Sequence, residues 1–370
     1  MELYIHIPFC VKKCDYCDFL SAPGTGEAQT AYVRALFREM EAVKEECHQP
    51  ITSVFIGGGT PSILDEMLMG ELLEKMNACF PIQPDAEITI EANPGTLSAE
   101  KLEVYRKGGV NRLSIGLQSP KDEELKSLGR IHTYREFLES YDLARKTGFS
   151  NINVDLMFAI PDQTCEGWTE NLKTVAELEP EHISAYSLIV EEGTPFARRK
   201  LNLPDEDAEY RMYEDTAAIL EQFGYRQYEI SNYAREGFAC QHNTGYWRRD
   251  HYLGLGLGAS SFCGRTRFSN TENMEKYLEK SGNPEQIREN AEELSREDAM
   301  AEFMFLGLRM TDGISGEEFE KCFGVPMDSV YGKILEKYKR LSLLQEKDDR
   351  IFFTRKGIHV SNVVMADFLL

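Results

Sequence analysis

Three cysteines near the start of the chain carry the clearest potential for chemistry. Cys10, Cys14 and Cys17 form a C-x₃-C-x₂-C pattern directly after the short apolar run at residues 3–7. Soft thiolates select iron–sulfur clusters, zinc or copper(I). Structural zinc normally takes four protein ligands, and this loop supplies only three. The spacing therefore predicts a [4Fe–4S] cluster held by three thiolates, with one iron open to an outside ligand.

Two simpler interpretations of these cysteines stay open at this point: small buried hydrophobic residues, or members of disulfides. The chain has nine cysteines, an odd number, and shows no secretory leader. A reducing cytoplasm is therefore the expected compartment, where disulfides are rare. The remaining cysteines have no motif spacing and are expected to be core thiols: Cys47, Cys79, Cys165, Cys240, Cys263 and Cys322.

Residues 1–225 alternate between strand-like and helix-like segments. Such alternation favours parallel strands with right-handed crossovers. We therefore predict the α/β class, as an incomplete (β/α)₆ barrel. The predicted strands are residues 3–8, 53–56, 87–91, 112–116, 151–158 and 182–189, and the predicted helices are residues 28–46, 64–79, 99–107, 134–147, 166–177 and 205–223.

Polar residues and glycines occupy the ends of these strands. Gly57-Gly58-Gly59-Thr60-Pro61 ends the second strand, Glu91 the third, and Gln118 and Asp155 lie on the fourth and fifth. In parallel α/β barrels such ends form the active face. Glycines have no Cβ, so the backbone can approach a zwitterionic ligand closely. Glu91 can accept both hydroxyls of a ribose. Further polar groups of the ligand can be contacted by Gln118, Arg130 and Asp155. Each residue alone has an ordinary explanation. Their joint placement around an open iron predicts that S-adenosylmethionine (SAM) binds there.

These motifs together resemble those of the radical SAM proteins of the anaerobic coproporphyrinogen-oxidase type, and among them the HemW-like haem chaperones. The resemblance implies that Cys10, Cys14 and Cys17 hold the cluster, and that Tyr4, Gly58 and Glu91 hold the SAM bound to it. In the oxidase branch, further matching positions line a second SAM: Tyr16, Gly59, Thr60, Gln118, Arg130 and Asp155.

Two departures separate the chain from the oxidase branch. Phe19 stands where the oxidase has a further cysteine, and the first strand begins almost at Met1, without the extension of the oxidase. Both favour a haem chaperone over porphyrinogen oxidation by a 5′-deoxyadenosyl radical, which stays the alternative. Whether SAM is cleaved stays open. A simple electron-transfer module is disfavoured, because it needs neither a barrel nor a ribose-binding carboxylate.

A second motif, H-N-x-x-Y-W at residues 242–247, matches a signature of the chaperone branch. Imidazole is a common axial ligand of haem iron, so His242 is the candidate haem ligand. Tyr246 and Trp247 could stack on the porphyrin, and Arg248 and Arg249 could pair with its propionates. The simpler interpretation is a capped turn with Trp247 plugging the barrel. The resemblance implies a recipient haemoprotein as partner and a possible homodimer.

Beyond residue 295 the pattern changes to helices followed by a hairpin. Predicted helices at residues 298–308, 315–323 and 330–341 precede predicted strands at 344–347 and 350–354, typical of a winged-helix-like α+β domain. The chain thus divides into a barrel (1–225), a connecting segment (226–295) and a C-terminal domain (296–370). A net charge of −21 argues against a nucleic-acid partner, and no apolar run approaches the ~18 residues of a membrane span.

Overall fold

The computed structural model describes residues 1–46 and 49–369. Six parallel strands form its centre, each paired with the next along the chain. They are β1 (Glu2–Ile7), β2 (Ile51–Gly58), β3 (Ile82–Ala92), β4 (Arg112–Gln118), β5 (Ile152–Phe158) and β6 (His182–Ser187). The helices of this part are α1 (Gly26–Val43), α2 (Glu66–Cys79), α3 (Ala99–Lys107), α4 (Asp122–Ser127), α5 (Tyr134–Lys146), α6 (Cys165–Ala176) and α7 (Glu206–Gln222). The predicted α/β class is confirmed.

The helix starts follow from side-chain capping. A capping oxygen accepts a hydrogen bond from an otherwise unpartnered backbone N–H in the first turn. Six of these helices, all except α4, begin after a residue that makes this bond: Thr25, Asp65, Ser98, Thr133, Thr164 and Asp205. The short α4 has no such bond, and the sequence did not predict it.

The two faces of the strands differ in polarity. Leu3, Ile5 and Ile7 of β1 belong to the hydrophobic core between sheet and helices. The alternate residues of the same strand, Glu2 and His6, are buried on the opposite face. Because successive side chains of a strand point to opposite faces, the barrel interior receives the polar residues. The other central strands repeat the pattern with Ser53, Glu87, Thr89, Glu91, Arg112, Ser114, Asn153, Asp155, His182 and Ser184.

The segment after α7 extends the same sheet. Its elements are β7 (Arg226–Gln227), β8 (Asn232–Ala234), α8 (Gln241–Trp247), β9 (Tyr252–Leu255), β10 (Ser260–Cys263), β11 (Thr266–Asn270), α9 (Met274–Lys280), α10 (Pro284–Ile287) and β12 (Arg288–Glu293). The twelve strands run in the order β12-β11-β10-β9-β1-β2-β3-β4-β5-β6-β8-β7. Strand β9 lies parallel to β1, and a Cβ at Gly254 would lie 2.1 Å from the Ser260 carbonyl oxygen. The glycines here therefore serve close backbone packing.

The last part of the chain has its own core and a three-stranded sheet. Its elements are α11 (Arg296–Gly307), β13 (Ile314–Ser315), α12 (Gly316–Phe323), α13 (Met327–Arg340), β14 (Leu344–Lys347), β15 (Arg350–Phe353), α14 (Arg355–Ile358) and α15 (Ser361–Ala366). Asp348 and Asp349 both have positive φ, +51° and +62°, as a two-residue hairpin turn requires. Within the described residues, no helix is both long and apolar enough to cross a bilayer.

The cysteines outside the motif differ in burial. Cys240 is buried, whereas Cys322 is exposed on α12. The expectation of a core thiol is therefore wrong for Cys322, because it lies on the solvent face of an amphipathic helix. Cys79, Cys165 and Cys263 are half-buried. Cys47 lies outside the described residues.

Candidate functional site

The cysteine loop lies at the carboxyl end of β1 and is fixed at both its base and its tip. At the base, backbone hydrogen bonds join Cys10 to Ala22 and Ala22 to Pro8, at 3.2 and 3.0 Å. At the tip, the Asp15 carboxylate pairs with Arg199 at 2.7 Å. Phe196 also donates its backbone N–H to the Asp15 carbonyl at 3.0 Å. The loop is thus tied to the far side of the barrel, which holds its thiols over the interior.

The glycine motif after β2 supports this loop from below. The backbone N–H groups of Gly59 and Thr60 donate to the carbonyls of Ile7 and Phe9, at 2.9 and 2.7 Å. A Cβ at Gly59 would lie 2.4 Å from the Phe9 carbonyl oxygen, so only glycine fits there. Gly58 has φ of +113°. Gly59 is therefore required by the close approach of two strand-end loops, and Gly58 by its positive φ.

The three thiols of the loop line one cavity, with the charged side chains of Lys13 and Arg130 close to them. Burial raises the pKa of Cys10 and of Cys17, and the neighbouring thiols raise both further. Cys14 Sγ lies 3.6 Å from a guanidinium nitrogen of Arg130. Such thiols become thiolates when a positively charged metal core lies between them. Among the described residues, no group of three or more His, Cys, Asp or Glu side chains is placed to hold a metal ion. The soft thiols that line this cavity are nevertheless the donors that iron–sulfur clusters take.

Glu91 forms the polar wall next to the loop. It is half-buried, and one carboxylate oxygen accepts the backbone N–H of Gly58 at 3.0 Å. Burial raises its pKa to about 8, and the charge of Asp155 adds to the rise. Apart from the Gly58 N–H, no hydrogen-bond donor to this carboxylate is found among the described residues, and the group lines the open cavity. A pair of ribose hydroxyls would supply further donors, which fits the sugar of a nucleoside ligand.

A second group of polar side chains continues around the same end of the barrel. Arg130 donates to the Asn93 side-chain oxygen at 2.7 Å, and Asn93 donates to the Thr60 hydroxyl at 2.7 Å. Asp155 accepts from Ser114 at 3.2 Å and from Asn153 at 2.7 Å. Burial raises the pKa of Asp155. This chain of bonds fixes each group in place and leaves its cavity side available to a ligand.

The structure brings the predicted cluster and SAM residues together around one open cavity. Tyr4 lines the adjoining part of the barrel interior, with Gly58, Glu91 and Asp155 in common. Sequence reasoning missed Asn93 and Ser114, although Asn93 lies in the quoted E-A-N-P motif. The cavity is lined by Cys10, Cys14, Tyr16, Cys17, Gly58, Gly59, Thr60, Glu91, Gln118, Arg130 and Asp155, together with the missed Asn93 and Ser114.

His242 lies at the opposite end of the barrel. It is 1% exposed and sits on α8, which closes the amino ends of β1 and β2. Its Nδ1 is 2.9 Å from the Ser53 hydroxyl, and its Nε2 is 3.1 Å from the Tyr246 hydroxyl. Its ring stacks on Phe55 at 5.3 Å. In this structure both ring nitrogens are engaged, so the predicted axial ligation of haem would require the ring to leave its site.

The imidazole of His242 and the neighbouring Glu2 carboxyl are held in their neutral forms. Burial lowers the pKa of His242 to about 3, and the charge of Arg112 lowers it further. Burial raises the pKa of Glu2 to about 9, and Asp250 adds to the rise. The Glu2 carboxyl lies 3.9 Å from His242 Nδ1. The floor below the cavity is thus hydrogen-bonded around a neutral imidazole and a neutral carboxyl, with the charged Arg112 guanidinium nearby.

Comparison with protein families agrees with this geometry. Residues 4–175 match the Radical SAM superfamily, and residues 294–360 match the HemN C-terminal domain. Among solved structures, the radical SAM enzyme coproporphyrinogen III oxidase (HemN) from Escherichia coli is similar, with a TM-score of 0.86 and 25% identity. That likeness covers 100% of this chain and 89% of the oxidase chain.

Curated relatives named heme chaperone HemW match over almost the whole length. The Bacillus subtilis protein is 37% identical, covering 99% of this chain and 98% of its own. The Lactococcus lactis protein is 38% identical, covering 99% and 97%. The Escherichia coli protein is 45% identical, covering 70% and 69%. The chain therefore belongs to the radical SAM superfamily, within the family of the HemW heme chaperones.

Proposed function

We propose that this chain is a haem chaperone built on a radical SAM scaffold, which binds haem and passes it to a recipient haemoprotein. The observation that carries the proposal is the match over almost the whole chain to relatives named heme chaperone HemW, at 37% and 38% identity. The gathered thiols, glycines and Glu91 at the carboxyl end of the barrel support it independently of any name.

In this proposal Cys10, Cys14 and Cys17 hold a [4Fe–4S] cluster. Such a cluster with an open iron can bind the amino-acid end of SAM and supply electrons for its cleavage. Glu91 accepts the ribose hydroxyls, and Tyr4 and Gly58 line the space beside it. Arg199 and the Gly59 backbone keep the cysteine loop in position.

The remaining predicted site residues line the other side of the cavity. Arg130 and Thr60 are joined through Asn93, so they offer a fixed charged group and a fixed hydroxyl to a ligand. We propose that they contact a second SAM molecule, together with Tyr16, Gly59, Gln118 and Asp155.

The proposal also includes the organisation and surroundings of the chain. Residues 1–225 form the barrel, 226–295 the connecting segment and 296–370 the C-terminal domain. The chaperone acts in the cytoplasm, where free thiols persist, and it works as a homodimer or alone. Light scattering of the reconstituted protein determines which of these two states is present.

The test uses protein that is reconstituted anaerobically with iron and sulfide. We expect bound iron and sulfide, SAM binding by equilibrium dialysis, haem binding by absorbance, and transfer of haem to an apo-haemoprotein. The same preparation is reduced and incubated with coproporphyrinogen III and SAM. Protoporphyrinogen formation without haem transfer would show that the chain is an oxidase and not a chaperone. Oxidase is the function of the structurally similar HemN.

A further inference from the structure

A groove runs along the outer side of α8, below the barrel floor. Its walls are aromatic side chains from α8, from β9 and β10, and from α11 of the C-terminal part. It encloses about 660 Å³, counting the part open to solvent. Tyr246, whose hydroxyl bonds His242, forms a wall of this groove and also of the barrel interior. The groove thus lies at the end of the barrel away from the cysteine loop.

Two arginines of this groove share a single carboxylate. Glu302 on α11 accepts hydrogen bonds from Arg249 at 3.0 Å and from two nitrogens of Arg267, each at 3.0 Å. The side chains of Arg249, Arg267 and Glu302 are only 14%, 32% and 12% exposed, in that order. The groove therefore has a local excess of positive charge, although the net charge of the chain is −21. Guanidinium groups bind carboxylates as paired donors.

The aromatic walls add flat apolar surface and one unused donor. Arg249 and Arg267 both lie over the ring of Phe262, at 5.3 and 4.8 Å. The Trp247 ring lies beneath Arg309 at 4.2 Å. Its indole N–H is buried and has no hydrogen-bond partner. Buried polar groups are normally partnered, so this N–H points to a missing acceptor.

We propose that this groove binds the flat tetrapyrrole dicarboxylate that the proposed function requires. One ligand carboxylate takes the place of Glu302 between Arg249 and Arg267, while the ring system lies against the aromatic walls. Glu302 is thus an internal substitute for the ligand carboxylate, carried on α11. Ligand binding breaks the contact that ties α11 to the barrel floor. The inference rests on the proposed function, and it specifies a site to which the H-N-x-x-Y-W motif contributes Tyr246 and Trp247.

The experiment titrates protoporphyrin IX into the full-length protein, because a metal-free porphyrin removes axial ligation from the result. Binding is followed by quenching of tryptophan fluorescence. The chain has two tryptophans, and Trp168 is fully buried in the barrel core. We expect quenching that saturates, with the same midpoint in Trp168→Phe, in which Trp247 is the remaining reporter.

Two substitutions then test the carboxylate exchange with opposite signs. Arg267→Gln should weaken protoporphyrin binding about tenfold, the usual effect of losing a charge-assisted hydrogen bond. Glu302→Gln should strengthen it, because the competing charge is gone. The matched control, Arg265→Gln, removes an exposed charge outside the groove and should leave affinity unchanged. The dimethyl ester of protoporphyrin should bind all variants with equal affinity.

The outcomes separate this inference from the proposed function. If the wild type binds neither haem nor protoporphyrin IX, the proposed function is wrong. If the wild type binds but Arg267→Gln and Glu302→Gln both keep its affinity, the groove inference is wrong and the proposed function stands. Damage to the fold cannot imitate the expected result, because both variants lose the same ion pair and only one should bind more tightly.

Discussion

The two ends of the barrel are built from the same strands but differ in how their polar groups are satisfied. At the carboxyl end, Glu91 and the thiols of Cys10 and Cys17 have raised pKa values and face an open cavity. At the amino end, both nitrogens of His242 are hydrogen-bonded within the barrel floor. The carboxyl end therefore presents polar groups to an open cavity, whereas the floor already engages the imidazole of His242 within the fold.

The largest expected effect concerns the cluster at the carboxyl end. Cys14→Ala removes one of three thiolates, so we expect bound iron and sulfide after reconstitution to fall to background. The control Cys322→Ala removes an exposed thiol on α12 and should keep the wild-type iron content. Equal iron and sulfide in Cys14→Ala and wild type would remove this loop from the metal site.

The next effect concerns SAM. Glu91→Gln keeps the shape but halves the acceptor capacity for ribose hydroxyls, so SAM affinity should fall at least about tenfold. Equilibrium dialysis on cluster-loaded protein measures it. Glu103→Gln, an exposed carboxylate on α3, is the control and should bind SAM as the wild type does. Unchanged affinity in Glu91→Gln would place the ribose elsewhere.

The floor should respond in stability rather than in ligand binding. His242→Ala loses a stacked ring and two hydrogen bonds, so the free energy of unfolding should fall by about 3 kcal/mol. Ser53→Ala, which removes one of these bonds and the bond from Ser53 to Glu2, should cost about 2 kcal/mol. Denaturant unfolding measures both. We expect the Soret band of bound haem to keep its position in His242→Ala; a shifted band would identify His242 as the iron ligand.

The last effect concerns the pH dependence of stability. Burial raises the pKa of Glu2 from 4.5 to about 9, so the folded chain keeps a proton that the unfolded chain releases. Stability of the wild type should therefore fall as pH rises between these values, by at most about 1.4 kcal/mol per pH unit. Glu2→Gln should lack this slope. If the free energy of unfolding has the same pH slope in the wild type and in Glu2→Gln, Glu2 is ionised in the folded state.

Much of the carboxyl end could be predicted from the sequence. The six strands and the helices between them follow from hydrophobic alternation, and α3 has the predicted bounds, Ala99–Lys107. The cysteine spacing and the strand-end glycines are local signals. An additional signal was present: Glu2, Tyr4 and His6, like Glu87, Thr89 and Glu91, alternate with apolar residues. Parallel strands that are buried on both faces are usually apolar throughout, so this alternation indicates a polar barrel interior.

The floor could not be predicted in the same way. The four-residue strand β9 joins β1 through contacts between residues about 250 positions apart, and no local pattern reveals such pairing. Helix α8 is only seven residues long, and its sequence suggests a ligand as readily as a core histidine. Whether His242 is available depends on Ser53 and Tyr246, and Ser53 becomes its neighbour only in the fold.

The most direct test of the account is electron paramagnetic resonance of the reduced, reconstituted protein with and without SAM. If Cys10, Cys14 and Cys17 leave one iron open beside Glu91, SAM should change the spectrum of the wild type and of His242→Ala. At the same SAM concentration it should change the spectrum of Glu91→Gln much less. A wild-type spectrum that SAM leaves unchanged, in protein with a full complement of iron and sulfide, would contradict the account.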